Sequence, residues 1–247
     1  LAGVPELLEA IARKVEELYG AVPDPATEIC VTPGATEALS TAIAAVIHPG
    51  DEAIVIDPAY DSYDPCVVLN GGVPVHVPMD DAFRIDWGRV RSACSERTKL
   101  LILNSPHNPT GSAFAADDIA ALRDLLNDFP LTVLSDEVYE HILFDGDTHS
   151  SIWALPGMEE STVLVSGHSK GFAMTGWRLG WAVLPTKREA AIFKQLNINI
   201  CSCVPPFIHI SSSLYPSDIT IAPVKRPMNP ESMNPPITPR KITISAG

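Results

Sequence analysis

Residues Thr162 to Gly180 read TVLVSGHSKGFAMTGWRLG. Thr162 to Ser166 is a short apolar run rich in β-branched residues, as in a strand buried on both faces. It gives way at Gly167 to a segment that holds Lys170, flanked by Gly171-Phe172-Ala173-Met174 and Gly176-Trp177, with Arg178 eight residues on. Those flanks are too apolar for an ordinary solvated loop, and an amine stripped of solvation is a better nucleophile. A guanidinium at Arg178 can clamp a phosphate through two parallel hydrogen bonds. A Ser-x-x-Lys hydrolase arrangement fails, because the residue three before Lys170 is Gly167.

Outward from that segment the chain alternates apolar runs with helical patterns. The runs are Glu28 to Thr32, Ala53 to Asp57, Pro74 to Val77, Lys99 to Asn104, Leu131 to Ser135, Thr162 to Ser166 and Leu179 to Leu184. Helical periodicity marks Thr36 to Ile47, Ala116 to Leu126 and Thr186 to Leu196. Pro5 to Tyr19 is a further helix: Leu8, Ile11, Val15 and Leu18 share one face, Pro5 suits the first turn and Gly20 the stop. Strands apolar on both faces and separated by helices predict an α/β fold, a mostly parallel seven-stranded sheet in a three-layer arrangement with helices on both faces. Ligands of such sheets sit at the carboxyl ends of the strands. That rule selects Gly34 to Thr36, Asp57 to Tyr63, Asn104 to Gly111, Asp136 to Tyr139 and Ser166 to Arg178.

Composition narrows the function classes. The chain has 247 residues, 46% of them hydrophobic and 19% charged, enough for a substantial core. A net charge of -13 disfavours nucleic acid and anionic membranes as partners. No apolar run reaches the roughly 18 residues needed to span a bilayer, and the acidic helix at the N-terminus is unlike a secretory leader; the expectation is a cytoplasmic protein. The five cysteines, Cys30, Cys66, Cys94, Cys201 and Cys203, form no CxxC pair and predict neither a metal site nor a disulfide framework. Residues 201–247 differ from the rest: they hold nine of the 23 prolines, carry a net +2 and show no helical period. The expected division is a domain over 1–200 and a proline-rich irregular tail over 201–247.

A cofactor that stabilises carbanions needs an amine for attachment, a carboxylate facing its ring nitrogen, donors to its ring oxygen, an aromatic to stack on and a phosphate cradle. The strand-end segments offer one of each. The run Ser169 to Gly180 resembles the lysine attachment motif of the class I and II aminotransferases, pyridoxal-phosphate enzymes of fold type I. The other blocks resemble that family's in order. Gly34-Ala35-Thr36-Glu37-Ala38 is similar to its phosphate loop at a helix start. Asp57-Pro58-Ala59-Tyr60-Asp61-Ser62-Tyr63 is similar to the block whose aromatic stacks on the cofactor, with Tyr60 in that place. Asn104-Ser105-Pro106-His107-Asn108-Pro109-Thr110-Gly111 resembles the Asn-Pro-x-Gly block, with Asn108 on the ring oxygen. Ser135-Asp136-Glu137-Val138-Tyr139-Glu140-His141 resembles the block whose aspartate, here Asp136, faces the ring nitrogen; Tyr139 donates to the ring oxygen. The texture of these blocks, with Phe83-Arg84-Ile85-Asp86-Trp87, looks most like the methionine and kynurenine aminotransferase group and the cysteine-conjugate β-lyases within it.

The resemblance implies that Lys170 holds pyridoxal 5′-phosphate as a Schiff base and then moves a proton at the substrate α-carbon. The cofactor would be bound by Gly34, Ala35, Thr36, Tyr60, Asn108, Asp136, Tyr139, Ser169, Lys170 and Arg178. An amino acid of methionine or aromatic type and a 2-oxo acid would exchange their amino group, in a homodimer. Two departures stand out. The family often has a serine three before the lysine, on the phosphate; Gly167 is there, and Ser169 is the first candidate to replace it, ahead of Ser166. The family's second, smaller domain, with an arginine for the substrate carboxylate, has no counterpart from Cys201 onward, and neither Arg226 nor Arg240 is assigned that part; the N-terminus is also short. A cofactor-binding fragment without turnover and a carbon–sulfur β-lyase are therefore the alternatives. His107, His141 and His168 are expected on loops or at the rim, with no catalytic part.

Overall fold

The structure, a computed structural model, describes residues 2–144 and 148–200. The expected tail over 201–247, with Cys201, Cys203, Arg226 and Arg240, lies outside them. Seven strands form one sheet: β1 (Ile29–Thr32), β2 (Glu52–Asp57), β3 (Val73–Pro78), β4 (Thr98–Asn104), β5 (Thr132–Asp136), β6 (Thr162–Gly167) and β7 (Gly180–Val183), in the order β1-β7-β6-β5-β4-β2-β3. Each lies within one residue, at either end, of an apolar run in the sequence. Neighbours from β3 through β2, β4 and β5 to β6 pair in parallel, whereas β7 runs antiparallel to both β6 and β1. β3 departs from the expectation of strands buried on both faces. It is an edge strand with only Val77 buried, a position that also tolerates Pro74 and Pro78, which cannot donate to a ladder.

The helices are α1 (Pro5–Tyr19), α2 (Ala35–Val46), α3 (Tyr63–Leu69), α4 (Trp87–Ala93), α5 (Ala116–Asp128), α6 (His168–Gly171) and α7 (Lys187–Ile200). α1 begins on Pro5 and ends where Gly20 turns left-handed at φ 75°. Its inward face is not the one expected throughout: Leu18 is half exposed and Lys14 is buried instead. Alternation along the strands sorts the core into two layers. Ala53 and Val55 of β2 pack with Leu39, Ile43, Val67 and Phe193 of α2, α3 and α7. Ile54 and Ile56 pack with Val90, Leu122 and Leu125 of α4 and α5. α1 covers the same face farther along, setting Leu7, Ile11 and Val15 on Ile29, Leu164 and Trp181. Each such side chain contributes about 2 kcal/mol by leaving water. Among the described residues no helix is long and apolar enough to cross a membrane, no group of residues could hold a metal ion, and Cys30, Cys66 and Cys94 are free.

The start of β7 is pressed against the start of α2. A Cβ at Gly180 would lie 2.3 Å from both the Ala35 nitrogen and the Gly34 carbonyl carbon. Backbone cannot yield as a side-chain tip can, so Gly180→Ala should cost about 3 kcal/mol in denaturant unfolding. Gly176→Ala, where nothing lies within 4 Å, should change stability by less than about 0.5 kcal/mol.

Candidate functional site

Because β7 runs opposite to its neighbours, the carboxyl ends of β1, β2, β4, β5 and β6 share one edge of the sheet with the amino end of β7. A cavity of about 200 Å³ opens there. Ala35 and Thr36 enter it from the start of α2, Tyr60 from beyond β2, and Asn104 and Asn108 from the end of β4. Asp136 and Tyr139 come from the end of β5, and Ser169, Lys170, Thr175 and Arg178 from the connection between β6 and β7. The structure thus brings together every residue selected from the sequence except Gly34. That glycine lies behind the wall: a Cβ on it would meet the Arg178 guanidinium at 2.4 Å, and its φ of 91° suits a residue without one.

Part of the cavity lining carries positive potential. Ala35 and Thr36, in the first turn of α2 where N–H groups have no partner within the helix, line this part, and the helix dipole adds to the potential. Arg178, itself left-handed at φ 50°, is steadied by Nη1 donating to the Thr175 carbonyl at 3.2 Å. Thr36 and Ser169 add hydroxyls, with Thr36 Oγ1 3.5 Å from the Tyr60 hydroxyl.

The cavity is also lined by a buried carboxyl. Asp136 is 4% exposed. Its Oδ2 accepts from the Tyr63 hydroxyl at 2.8 Å, and the Val138 N–H reaches Oδ1 at 3.4 Å. Burial pushes this carboxyl up to about 6 despite those hydrogen bonds, and no basic side chain offsets the burial. Such a group is best satisfied by a protonated nitrogen brought in by a ligand. Asn104 locks the floor: its Nδ2 donates to the Asp136 carbonyl at 2.8 Å, and its Oδ1 accepts from the Asn108 N–H at 2.7 Å. Lys170 Nζ stands 5.4 Å from the centre of the Tyr139 ring. The donor set therefore fits pyridoxal phosphate: a carboxyl that wants an N–H, an anion cradle and an amine line one cavity.

Several placements differ from the expectations. Lys170 and the segment Thr175 to Arg178 are exposed, with Met174 the buried residue between them, because no described element lies over these apolar flanks. His107 is on the loop after β4, as expected, but buried there, and His168 is buried in α6 and not at the rim. His168 is drawn in where its N–H pairs with the Leu179 carbonyl, and its ring stacks on Phe172 at 4.9 Å. Ser169 lines the cavity, whereas Ser166 is fully buried and turned to Glu140. Gly167 is held to glycine because a Cβ there would meet the Leu179 carbonyl at 2.9 Å. Two residues that shape the site were not singled out: Tyr63, which reads as a core aromatic, and Asn104, whose one signal is its place at a strand end.

The raised Asp136 carboxyl has a stability consequence. The folded state keeps a proton that the unfolded chain releases near pH 4, so this contribution is complete below about pH 4 and is lost as pH rises through about 6. In Asp136→Asn that component, of order 3 kcal/mol, should vanish, and urea unfolding between about pH 4 and 7 should show the flatter profile.

The family model for aminotransferase class I and II matches residues 1–213. The methionine aminotransferase of Escherichia coli K12 is 46% identical over 195 residues, which are 78% of this chain and 50% of that protein. The aspartate aminotransferase of Pyrococcus abyssi is 44% identical over 74% of this chain and 48% of its own length. The crystal structure of the Escherichia coli methionine aminotransferase superposes with a TM-score of 0.84 at 40% identity, over 88% of this chain and 58% of that one. The chain spans about half the length of the curated relatives it matches. These matches agree with the order of the strands and of the blocks at their ends, and the chain belongs to the pyridoxal-phosphate-dependent aminotransferase class I and II family.

Proposed function

We propose that this chain supplies the cofactor-holding part of an enzyme that transfers an amino group between an amino acid of methionine or aromatic type and a 2-oxo acid. The observation that carries the reading is the convergence of Lys170, Asp136 and Arg178 on one cavity from the ends of three strands. Bound pyridoxal phosphate supplies an electron sink for negative charge developing at the substrate α-carbon. Asp136 holds a proton on the nitrogen it faces. Asn108 and Tyr139 orient the ring through its oxygen, and Tyr60 lies against its face. Ala35, Thr36, Ser169 and Arg178, backed by Gly34, take the phosphate. Lys170 is the one amine that lines the cavity among the described residues. It provides the attachment point and, when free, moves the proton at the α-carbon. The donor type follows from the texture of the sequence blocks and from the similarity to methionine aminotransferase. A homodimer in the cytoplasm goes with this reading.

A second reading is cofactor binding without turnover. It is supported by the described cavity lining, in which Arg178 is the one guanidinium; with Arg178 on the phosphate, no second guanidinium among the described residues lines the cavity for a substrate carboxylate. A carbon–sulfur β-lyase would use the same cofactor residues.

With added pyridoxal phosphate the purified chain should show a visible absorbance band, and borohydride should fix the cofactor to the Lys170 peptide. Lys170→Ala should lose both, and a band that survives in that variant refutes the assignment. Methionine should bleach the band and release its 2-oxo acid. A band unchanged at high methionine selects the second reading, and pyruvate released from a cysteine conjugate selects the lyase.

A further inference from the structure

Asp136 and Tyr139 face the cavity, but the residue after each faces away and is buried. Glu137 accepts from Ser135 Oγ at 2.7 Å, the Ile152 N–H at 3.1 Å and His149 Nε2 at 2.8 Å. Glu140 accepts from Lys14 Nζ and from Ser166 Oγ, each at 2.5 Å on one oxygen, and from the Tyr19 hydroxyl on the other. Lys14 and Tyr19 belong to α1, and Ser166 to β6, four residues before Lys170. The Trp181 ring of β7 lies 5.0 Å from Lys14 Nζ. His141, His149, His168 and Glu137 complete the titratable groups around this node. Burial alone would raise Glu140; the charges of Lys14 and His141 with the hydrogen bonds from Lys14 and Ser166 together outweigh it and hold the carboxyl at about 2, so it is ionised at neutral pH. None of this cluster lines the cavity, and the proposed chemistry leaves it unused.

We propose that Glu140 is a positioning residue: by gripping α1 through Lys14 and Tyr19 and β6 through Ser166, it fixes Tyr139 in place beside Lys170. Tyr139 is its immediate neighbour in a turn closed by Glu140 N–H to the Glu137 carbonyl at 3.0 Å and Ile142 N–H to the Tyr139 carbonyl at 2.7 Å. A carboxylate held by three donors from two elements has one position, so the turn that carries Tyr139 inherits it. A buried ion pair is a poor device for stability, since apolar residues of the same size often serve as well; its use is to select one arrangement. Displacement by about 1 Å is enough to spoil a reacting geometry.

The inference rests on the functional assignment of Lys170, and its test needs no cofactor. In the unloaded chain, Lys170 is acetylated with acetic anhydride across pH, and its rate is taken relative to exposed Lys99 by peptide mass spectrometry. Glu140→Gln should change the relative rate of Lys170 about threefold or more, with Lys187 unaffected. Tyr19→Phe keeps the ion pair and removes one donor, and should move it about 1.5-fold in the same sense. In the loaded chain Glu140→Gln should also shift the pH midpoint of the visible band by about half a unit. A cooperatively folded Glu140→Gln with the parent's Lys170 rate overturns the proposal. If that variant does not fold, a parent-like rate in Tyr19→Phe overturns it. A parent chain without the visible band counts against the cofactor reading alone, because the labelling result stands without it.

Discussion

The backbone of Gly180 touches the backbone of Gly34 and Ala35 more closely than any side chain would permit, and the layout of the site follows from that contact. β7 is the one strand that reverses direction, so the chain between β6 and β7 must return to the edge it left. It returns across the amino end of α2, which sets Arg178 on Gly34 and brings Lys170 to the same opening. Were β7 parallel, this connection would have to cross to the opposite edge, and the guanidinium and the amine would be parted by the width of the sheet.

The cavity is polarised along its length. Arg178 and the α2 amino end lie at the exposed rim, while Asp136 sits at the buried floor with Tyr63 as its donor. Helix dipole and guanidinium act on the anion at the rim, and desolvation acts on the carboxyl at the floor. The net charge of -13 carries no information about this arrangement, because a local field inside a cleft is set by the few groups that line it.

What could be read from the sequence was what burial imposes on a single segment. Six of the strands are buried at nearly every position, so they appear as unbroken apolar runs. α1 carries its own start and stop in Pro5 and Gly20. α3 and α4, at seven residues each, are too short to display a helical period. The strand-end residues were legible because their chemistry is unusual in an apolar context. Tyr63, Asn104 and Glu140 were not, since each acts by holding a neighbour, Asn104 doing so from within the cavity wall: a tyrosine in a short helix and a lysine in an amphipathic one look the same whether or not they meet a carboxylate. The exposure of the Lys170 loop was equally hidden, because apolar flanks report what a segment prefers to touch and not what lies over it.

The ion pair between Lys14 and Glu140 joins residues 126 positions apart, and Tyr63 meets Asp136 across 73. Closing such long loops comes before any reward from the contacts they make, which places these pairings late in assembly. The pocket is therefore complete only when the long-range pairings are made. A small molecule that recognises this opening thus binds the finished topology alone, and its binding energy is added to the whole fold at once.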